Sequence, residues 1–72
     1  MREYLVIYEP GEDGGWSAYA PDLPGLGIVG KSRAEAEQLI REGIALHIAG
    51  LREDGLPIPK PTTIAERVSV AA

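Results

Sequence analysis

Carboxylates are the most numerous side chains in this sequence that could support catalysis. Three of them brought together on neighbouring elements could hold Mg²⁺ for phosphate chemistry. Those on predicted elements are Glu9, Glu35, Glu37, Glu42 and Glu66. The predicted helix turns Glu37 and Glu42 away from its apolar side, and Glu66 is followed by Arg67. The pattern therefore favours solvated surface acids, and we expect no metal ion, no cofactor and no catalytic residue.

The single histidine, His47, adds little further chemistry. It falls near the middle of the apolar stripe of the predicted helix, and the sequence has no cysteine that could share a metal ion with it. No serine is arranged with it as a nucleophile. Residues 11–15 lack the lysine spacing and the following helix of a phosphate-binding loop. We interpret His47 as a partly buried packing residue.

Asp22 is the acid with the most specific setting, because it lies in the turn Pro-Asp-Leu-Pro-Gly at residues 21–25. One interpretation is a local hydrogen bond that fixes the turn. The other is contact with a basic partner through Asp22 and the neighbouring Leu23. The residue types leave both interpretations open.

Length and charge narrow the class of protein. The chain has 72 residues, 11 acidic and 7 basic side chains, and a formal net charge of −4. A chain of this size forms one domain, residues 1–72, and buries only about 60% of its unfolded surface. Since there is no cysteine for a disulfide, oligomerisation is the remaining common means of stabilisation. We expect a homo-oligomer, either a dimer or a tetramer.

The acidic charge also narrows the class of partner. Direct binding of nucleic acid depends largely on lysine and arginine at phosphates, so a basic protein suits this chain better. No apolar run approaches the roughly 20 residues of a membrane span. The sequence leads from Met1 into a strand rather than a signal peptide. We therefore expect a cytoplasmic protein with neither a membrane nor a nucleic acid as direct partner.

A proline-glycine turn connects the predicted second and third strands. Pro21 ends the second strand, and Pro24 followed by Gly25 is the pair that a type II turn requires. Proline fixes the φ angle of the first central residue of such a turn, and glycine adopts the positive φ angle of the second.

A capping pattern marks the start of the helix. In a capping box, the hydroxyl of Ser32 accepts from the amide of Glu35, while the glutamate accepts from the amide of Ser32. The helix should therefore begin at Arg33. Gly30, just before it, indicates a backbone conformation or a close approach that a side chain would obstruct. Ala36 then begins the apolar stripe of the helix.

Alternation and turn residues predict four strands. Residues 4–8 and 16–20 form an antiparallel hairpin, residues 26–29 a short third strand, and residues 64–70 a fourth. The helix ends before Gly55, and the proline-rich residues 56–61 return as an extended segment. The predicted fold is α+β with the order β-β-β-α-β. It has one four-stranded sheet, in which three strands are antiparallel and the last is parallel to the first, with one helix on one face.

A single helix covers only one face of this sheet. We place Tyr4, Val6 and Tyr8 on the face with Trp16, Ala18 and Ala20, so that the alanines let the helix lie close. The opposite face then stays apolar and exposed, and we expect it to be the self-association face. Its residues are Leu5, Ile7 and Tyr19.

The order of these pieces resembles the HicB antitoxin domain over nearly the whole chain. The residues that carry the resemblance are Tyr4 to Tyr8, Trp16-Ser17-Ala18-Tyr19-Ala20-Pro21-Asp22-Leu23-Pro24-Gly25, Gly30-Lys31-Ser32 with Glu35-Ala36, and Pro57-Ile58-Pro59. The resemblance implies a degraded ribonuclease-H-like fold that forms dimers or larger assemblies. It also implies a partner, a small basic ribonuclease toxin called HicA, which the antitoxin neutralises.

The chain departs from that family in lacking the helix-turn-helix or ribbon-helix-helix segment of many members, so no separate DNA-binding domain is expected. Three hypotheses follow. The first is an antitoxin-like binding protein that is not an enzyme. The second is a small Mg²⁺-dependent nuclease with ribonuclease-H-like chemistry, and the third is an orphan HicB-like module for assembly or regulation.

Overall fold

Three strands and one helix make up the regular part of the fold. A computed structural model describes residues 2–72 and contains the strands β1 (Ile7–Pro10), β2 (Trp16–Tyr19) and β3 (Gly27–Gly30), followed by the helix α1 (Arg33–Glu53). The strands form one antiparallel sheet in the order β1-β2-β3. The helix packs on one face of this sheet. The predicted α+β class and the three antiparallel strands are confirmed.

The strand register places small residues beneath the helix. Tyr8 lies opposite Ala18, and Ala18 lies opposite Ile28, so these side chains share the face that meets α1. Ala18 packs with Ala36 and Ile40 in the core. Because alanine side chains are short, the helix and sheet backbones approach closely. The predicted register of the hairpin is confirmed.

The loop after β2 contributes a further buried side chain. The side chain of Leu23 is fully buried, and its amide donates to the carbonyl of Ala20 at 3.0 Å. The amide of Leu26 in turn donates to the carbonyl of Leu23 at 3.2 Å, across Pro24 and Gly25. Gly25 has a φ of 86°. This geometry is that of a type II turn.

Local hydrogen bonds define both ends of α1. At its start, the hydroxyl of Ser32 accepts from the amide of Glu35 at 3.1 Å. The Glu35 carboxylate accepts from the amide of Lys31 at 2.9 Å, one residue earlier than the predicted capping box. At its end, Gly55 has a φ of 65°. Two amides there return to helix carbonyls, Gly55 to Arg52 and Leu56 to Leu51, which is the Schellman arrangement.

The predicted fourth strand, parallel to the first, is absent from the sheet. Residues 56–72 contain no helix or strand, and residues 64–72 are exposed. We call residues 64–72 the C-terminal arm. The radius of gyration is 14.1 Å and the longest dimension is 48 Å, whereas a compact domain of this length has a radius of gyration of about 11 Å. The arm therefore extends away from the body of the protein.

The first strand is also shorter than the sequence predicts. The prediction covered residues 4–8, but the pairing with β2 begins at Ile7 and runs to Pro10. The chain of β2 turns away after Tyr19, towards the loop that buries Leu23. Residues 4–6 therefore have no β2 residue opposite them.

Candidate functional site

The carboxylate of Asp22 binds two consecutive threonines that lie 40 and 41 residues further along the chain. Its Oδ2 accepts from the amides of Thr62 and Thr63, each at 3.0 Å. Its Oδ1 accepts from the hydroxyls of the same residues, at 3.2 Å and 2.7 Å. These four hydrogen bonds attach the base of the C-terminal arm to the loop after β2. We call this contact the Asp22 clamp.

The Asp22 clamp lowers the pKa of the Asp22 carboxyl below its ordinary value. The bond from the Thr63 hydroxyl is the largest cause, followed by the bond from the Thr63 amide; desolvation opposes them, and the bonds from Thr62 add to the lowering. A carboxyl whose pKa is depressed by folding stabilises the fold above its unfolded pKa, and this contribution is lost as the pH falls through the folded pKa. The clamp is thus intact at neutral pH and is released only in acid, as the pH falls through the lowered pKa of the Asp22 carboxyl.

A second contact attaches the return segment, residues 57–61, to the N-terminal residues. The guanidinium of Arg2 donates to the carbonyls of Ile58 and Pro59, at 2.9 Å and 3.2 Å. The hydroxyl of Tyr4 donates to the same Pro59 carbonyl. Proline has no amide proton but keeps its carbonyl, so a proline-rich segment is suited to accept these bonds. The chain is therefore held at two points before the arm begins.

An open groove lies between the helix and this return segment. Its volume is about 610 Å³. Most of its lining residues are aliphatic, and two are arginines. The lining residues are Arg2, Tyr4, Ile44, Ala45, Ile48, Ala49, Arg52 and Ile58.

The outer face of the sheet, opposite α1, carries the residues predicted for self-association. Ile7 lies opposite Tyr19 in the pairing of β1 with β2, and Tyr19 is 38% exposed while Leu5 and Ile7 are half-buried. Sequence reasoning missed Val29, which is 76% exposed. Its place opposite Ser17 puts it on the same face. The alternation along the third strand could have assigned it there.

The two residues proposed for partner contact occupy different environments. The Asp22 carboxylate is bound by the clamp, and the Leu23 side chain is fully buried. The interpretation of a local hydrogen bond that fixes the turn is wrong, because the partners of the carboxylate, Thr62 and Thr63, are distant in sequence. Sequence reasoning missed Thr62 and Thr63 because a separation of about 40 residues leaves no local pattern.

The candidate catalytic acids do not converge. Within residues 2–72, no group of three or more histidine, cysteine, aspartate or glutamate side chains could hold a metal ion. Glu37 forms an ion pair with Arg33 at 3.3 Å on the helix surface, and Glu42 accepts from Gln38 at 3.3 Å. His47 is half-buried. α1 has 21 residues but is not apolar enough to cross a membrane, and it is the only helix in the part of the chain that the structure describes.

The sheet half of the chain is uniformly acidic. Residues 3–30 contain no lysine or arginine, and their acids are Glu3, Glu9, Glu12, Asp13 and Asp22. Glu9, Glu12 and Asp13 are exposed around the turn between β1 and β2, where Asp13 accepts from the amide of Gly15 at 3.1 Å. The nearby cation of Arg33 lies over the rings of Tyr8 and Trp16, at 5.0 Å and 5.8 Å. It therefore lies on the helix side of the sheet.

Comparison with known proteins places the chain in a family. A sequence profile of the HicB-like antitoxins of bacterial toxin–antitoxin systems matches residues 4–71. A UPF0150 protein of Synechocystis sp. is 37% identical over 70 residues, which are 97% of this chain and 89% of that protein. One of Thermoplasma acidophilum is 36% identical over 70 residues, 97% of this chain and 99% of its own. A second from Synechocystis sp. is 38% identical over 58 residues, 76% of this chain and 81% of its own. The chain belongs to the HicB-like antitoxin family of bacterial toxin–antitoxin systems.

Proposed function

We propose that this protein binds a small basic RNA-cleaving toxin of the HicA type and neutralises it by protein–protein contact, without catalysis of its own. The observation that carries the proposal is the family match over residues 4–71. In bacteria, the place of action would be the cytoplasm, where the RNA substrates of such a toxin are.

The charge distribution supports a basic partner. The chain has a net charge of −4, and residues 3–30 contribute acids without a single lysine or arginine. A toxin that binds RNA presents cations on its RNA-binding surface. Complementary charge accelerates encounter and fixes orientation, and occupation of that surface excludes RNA.

We place the toxin contact at the hairpin end of the sheet, around Glu9, Glu12 and Asp13. These side chains are exposed, and only the Asp13 carboxylate has a local hydrogen bond, to the Gly15 amide. A contact at Asp22 and Leu23 is the alternative. It requires the toxin to compete with Thr62 and Thr63 for the carboxylate, and the loop to expose Leu23.

Self-association is the second part of the proposal. We propose that two or more copies assemble through the face containing Leu5, Ile7 and Tyr19. Support comes from the apolar character of this face, where Tyr19 and Val29 are exposed. Ile7 and Tyr19 lie at the end of the hairpin away from the turn that carries Glu12 and Asp13, whereas Glu9 and Val29 flank Ser17 on the same face.

The test is co-purification with the small basic protein encoded beside this one, followed by an RNA-cleavage assay. We expect a stable complex, loss of RNA cleavage in it, and weaker association as the salt concentration rises. The double substitution Glu9→Lys, Glu12→Lys should reduce affinity at least tenfold. The matched control Glu53→Lys, Asp54→Lys changes the net charge equally at the end of α1 and should retain binding.

Each result has a defined meaning. No association at low or physiological salt would contradict the antitoxin proposal and favour an oligomeric HicB-like module without a toxin. Equal loss of binding in both double variants would show that net charge, rather than the hairpin end, governs the contact. Circular dichroism of each variant establishes that the helix is retained.

A further inference from the structure

The C-terminal arm has the composition of a strand but no strand beside it. Ile64, Val68 and Val70 are 90%, 72% and 77% exposed. Because side chains of an extended chain alternate, residues with this even spacing lie on one face of the arm. β-branched residues favour strands, but a single strand without a neighbour is not stable in water. The arm therefore presents a largely apolar strand face, interrupted by Glu66, with nothing covering it.

The N-terminal residues provide an open strand edge with which such an arm could pair. Residues 4–6 continue β1 but extend beyond the end of β2, where pairing stops at Ile7 opposite Tyr19. β1 is also an edge strand, since the sheet order is β1-β2-β3. An edge strand offers unpaired amides and carbonyls to any further strand. Residues 4–8 thus provide a backbone template on the side away from β2.

The two anchors explain why the arm does not reach this template in its own chain. Arg2 and Tyr4 already bind the return segment at Ile58 and Pro59. The Asp22 clamp then fixes Thr62 and Thr63, so the arm begins from a held position and extends outward. The longest dimension of 48 Å and the radius of gyration of 14.1 Å reflect this extended arm.

We propose that residues 64–70 of one copy add as an edge strand beside residues 4–8 of a second copy, and that the second copy returns the same contact. Each half of the dimer then completes a four-stranded sheet, with the fourth strand supplied by its partner. The occupant is a second copy because one chain provides both the free strand and the open edge. Two such contacts close in a twofold dimer.

Lengths agree with this exchange. At about 3.3 Å per residue, the seven residues of the arm segment span roughly 23 Å, and residues 4–8 span roughly 17 Å. The proposal rests on the proposed self-association, to which it adds a contact along the β1 edge beside the one on the outer sheet face, and it is independent of toxin binding. It also assigns the contact to a specific segment, which the outer sheet face alone does not.

The test combines sedimentation velocity with amide hydrogen exchange on the full chain, at protein concentrations above and below the dimer dissociation constant. We expect a dimer in which amides of residues 4–8 and 64–70 are protected together, and both lose protection on dilution. Val68→Asp places a charge on the apolar face of the arm and should raise the dimer dissociation constant at least tenfold. Ser69→Asp, the matched control on the opposite face, should change it less than threefold.

Four results would overturn the proposal. They are a monomer at every concentration, a dimer whose arm amides exchange freely, an arm protected in the dilute monomer, and an arm protected only after the toxin is added. The second result would instead assign the dimer to the outer sheet face. Toxin binding is measured separately, so failure of the antitoxin function and failure of arm exchange are distinguishable. Because Val68 lies outside the folded body, Val68→Asp should keep the β2 and α1 amides protected.

Discussion

Gly30 and Gly50 should respond in opposite directions to the same substitution. Gly30 is buried at the end of β3, against the first turns of α1. A Cβ at this position would lie 2.7 Å from the Ala36 amide nitrogen, 3.1 Å from the Ala36 Cα and 3.2 Å from the Glu35 carbonyl carbon. All three atoms belong to the helix backbone. No side-chain rotation can relieve the overlap, so Gly30→Ala must displace the start of the helix.

Excess volume in a packed site costs about 1–3 kcal/mol, and an immovable backbone neighbour places Gly30→Ala at the upper end. Alanine also reduces the backbone entropy of the unfolded chain, which offsets roughly 0.4–1 kcal/mol of this destabilisation. We therefore expect a net destabilisation of about 2–3 kcal/mol. A domain of this size has a stability on the order of 5 kcal/mol, so about half would be lost.

Gly50 provides the matched control. It lies inside α1, and a Cβ there would meet no atom within 4 Å. In a helix interior, alanine is more favourable than glycine by about 1 kcal/mol. Gly50→Ala should therefore stabilise the protein, and the two variants should differ by about 3–4 kcal/mol.

The assay is urea unfolding at one fixed protein concentration, followed by far-UV circular dichroism and by the fluorescence of Trp16. The fixed concentration keeps any contribution from self-association constant. Unchanged m-values would show that the variants alter stability rather than compactness. The reasoning is wrong if the free energy of unfolding of Gly30→Ala lies within about 0.5 kcal/mol of the wild-type value, or if both variants are destabilised equally. In either case, the close approach of β3 and α1 does not require a glycine at position 30.

Three further predictions concern the cap, the clamp and the outer face. Ser32→Ala removes the bond to the Glu35 amide and should cost about 1 kcal/mol in urea unfolding, while an unchanged midpoint would show that the cap contributes nothing. As the pH falls through the lowered pKa of Asp22, the carboxylate protonates, and the Thr62 and Thr63 amides should lose protection, measured against the intrinsic exchange rate at each pH. Asp22→Asn should produce the same loss of protection at neutral pH, and fully protected Thr62 and Thr63 amides in that variant would contradict the clamp. Ile7→Glu should lower the sedimentation mass, and an unchanged mass would exclude Ile7 from the self-association face.

Local patterns predicted the parts of the fold whose causes are local. The position of the turn at Pro24 and Gly25 follows from the φ preferences of those residues. The start of α1 follows from Ser32, and its end from Gly55. The register of the hairpin followed from the need to bury Ala18 beneath the helix. In each case, a few adjacent residues contain the whole physical reason.

The errors concern segments whose structure depends on a distant neighbour. Alternation in residues 64–70 describes a chain able to form a strand, but a strand also needs an edge to pair with. The same reason shortens the first strand, because residues 4–6 lie beyond the end of β2. The Asp22 clamp could not be predicted either, since nothing local connects Asp22 with Thr62 and Thr63. The error at the helix cap was smaller: the Glu35 carboxylate accepts from the amide of Lys31 rather than from that of Ser32.

The distribution of apolar residues links stability to association. The buried hydrophobic residues are Ala18, Ala20, Leu23, Ala36 and Ile40, so three of the five are alanines that bury little area each. Larger aliphatic residues of the arm and of the outer face remain in water. Burial of these residues against a second copy would stabilise the native state by mass action, since such a contact is available only to folded chains. It follows that the thermal midpoint should rise with protein concentration in the wild type, and that Val68→Asp should remove most of this dependence.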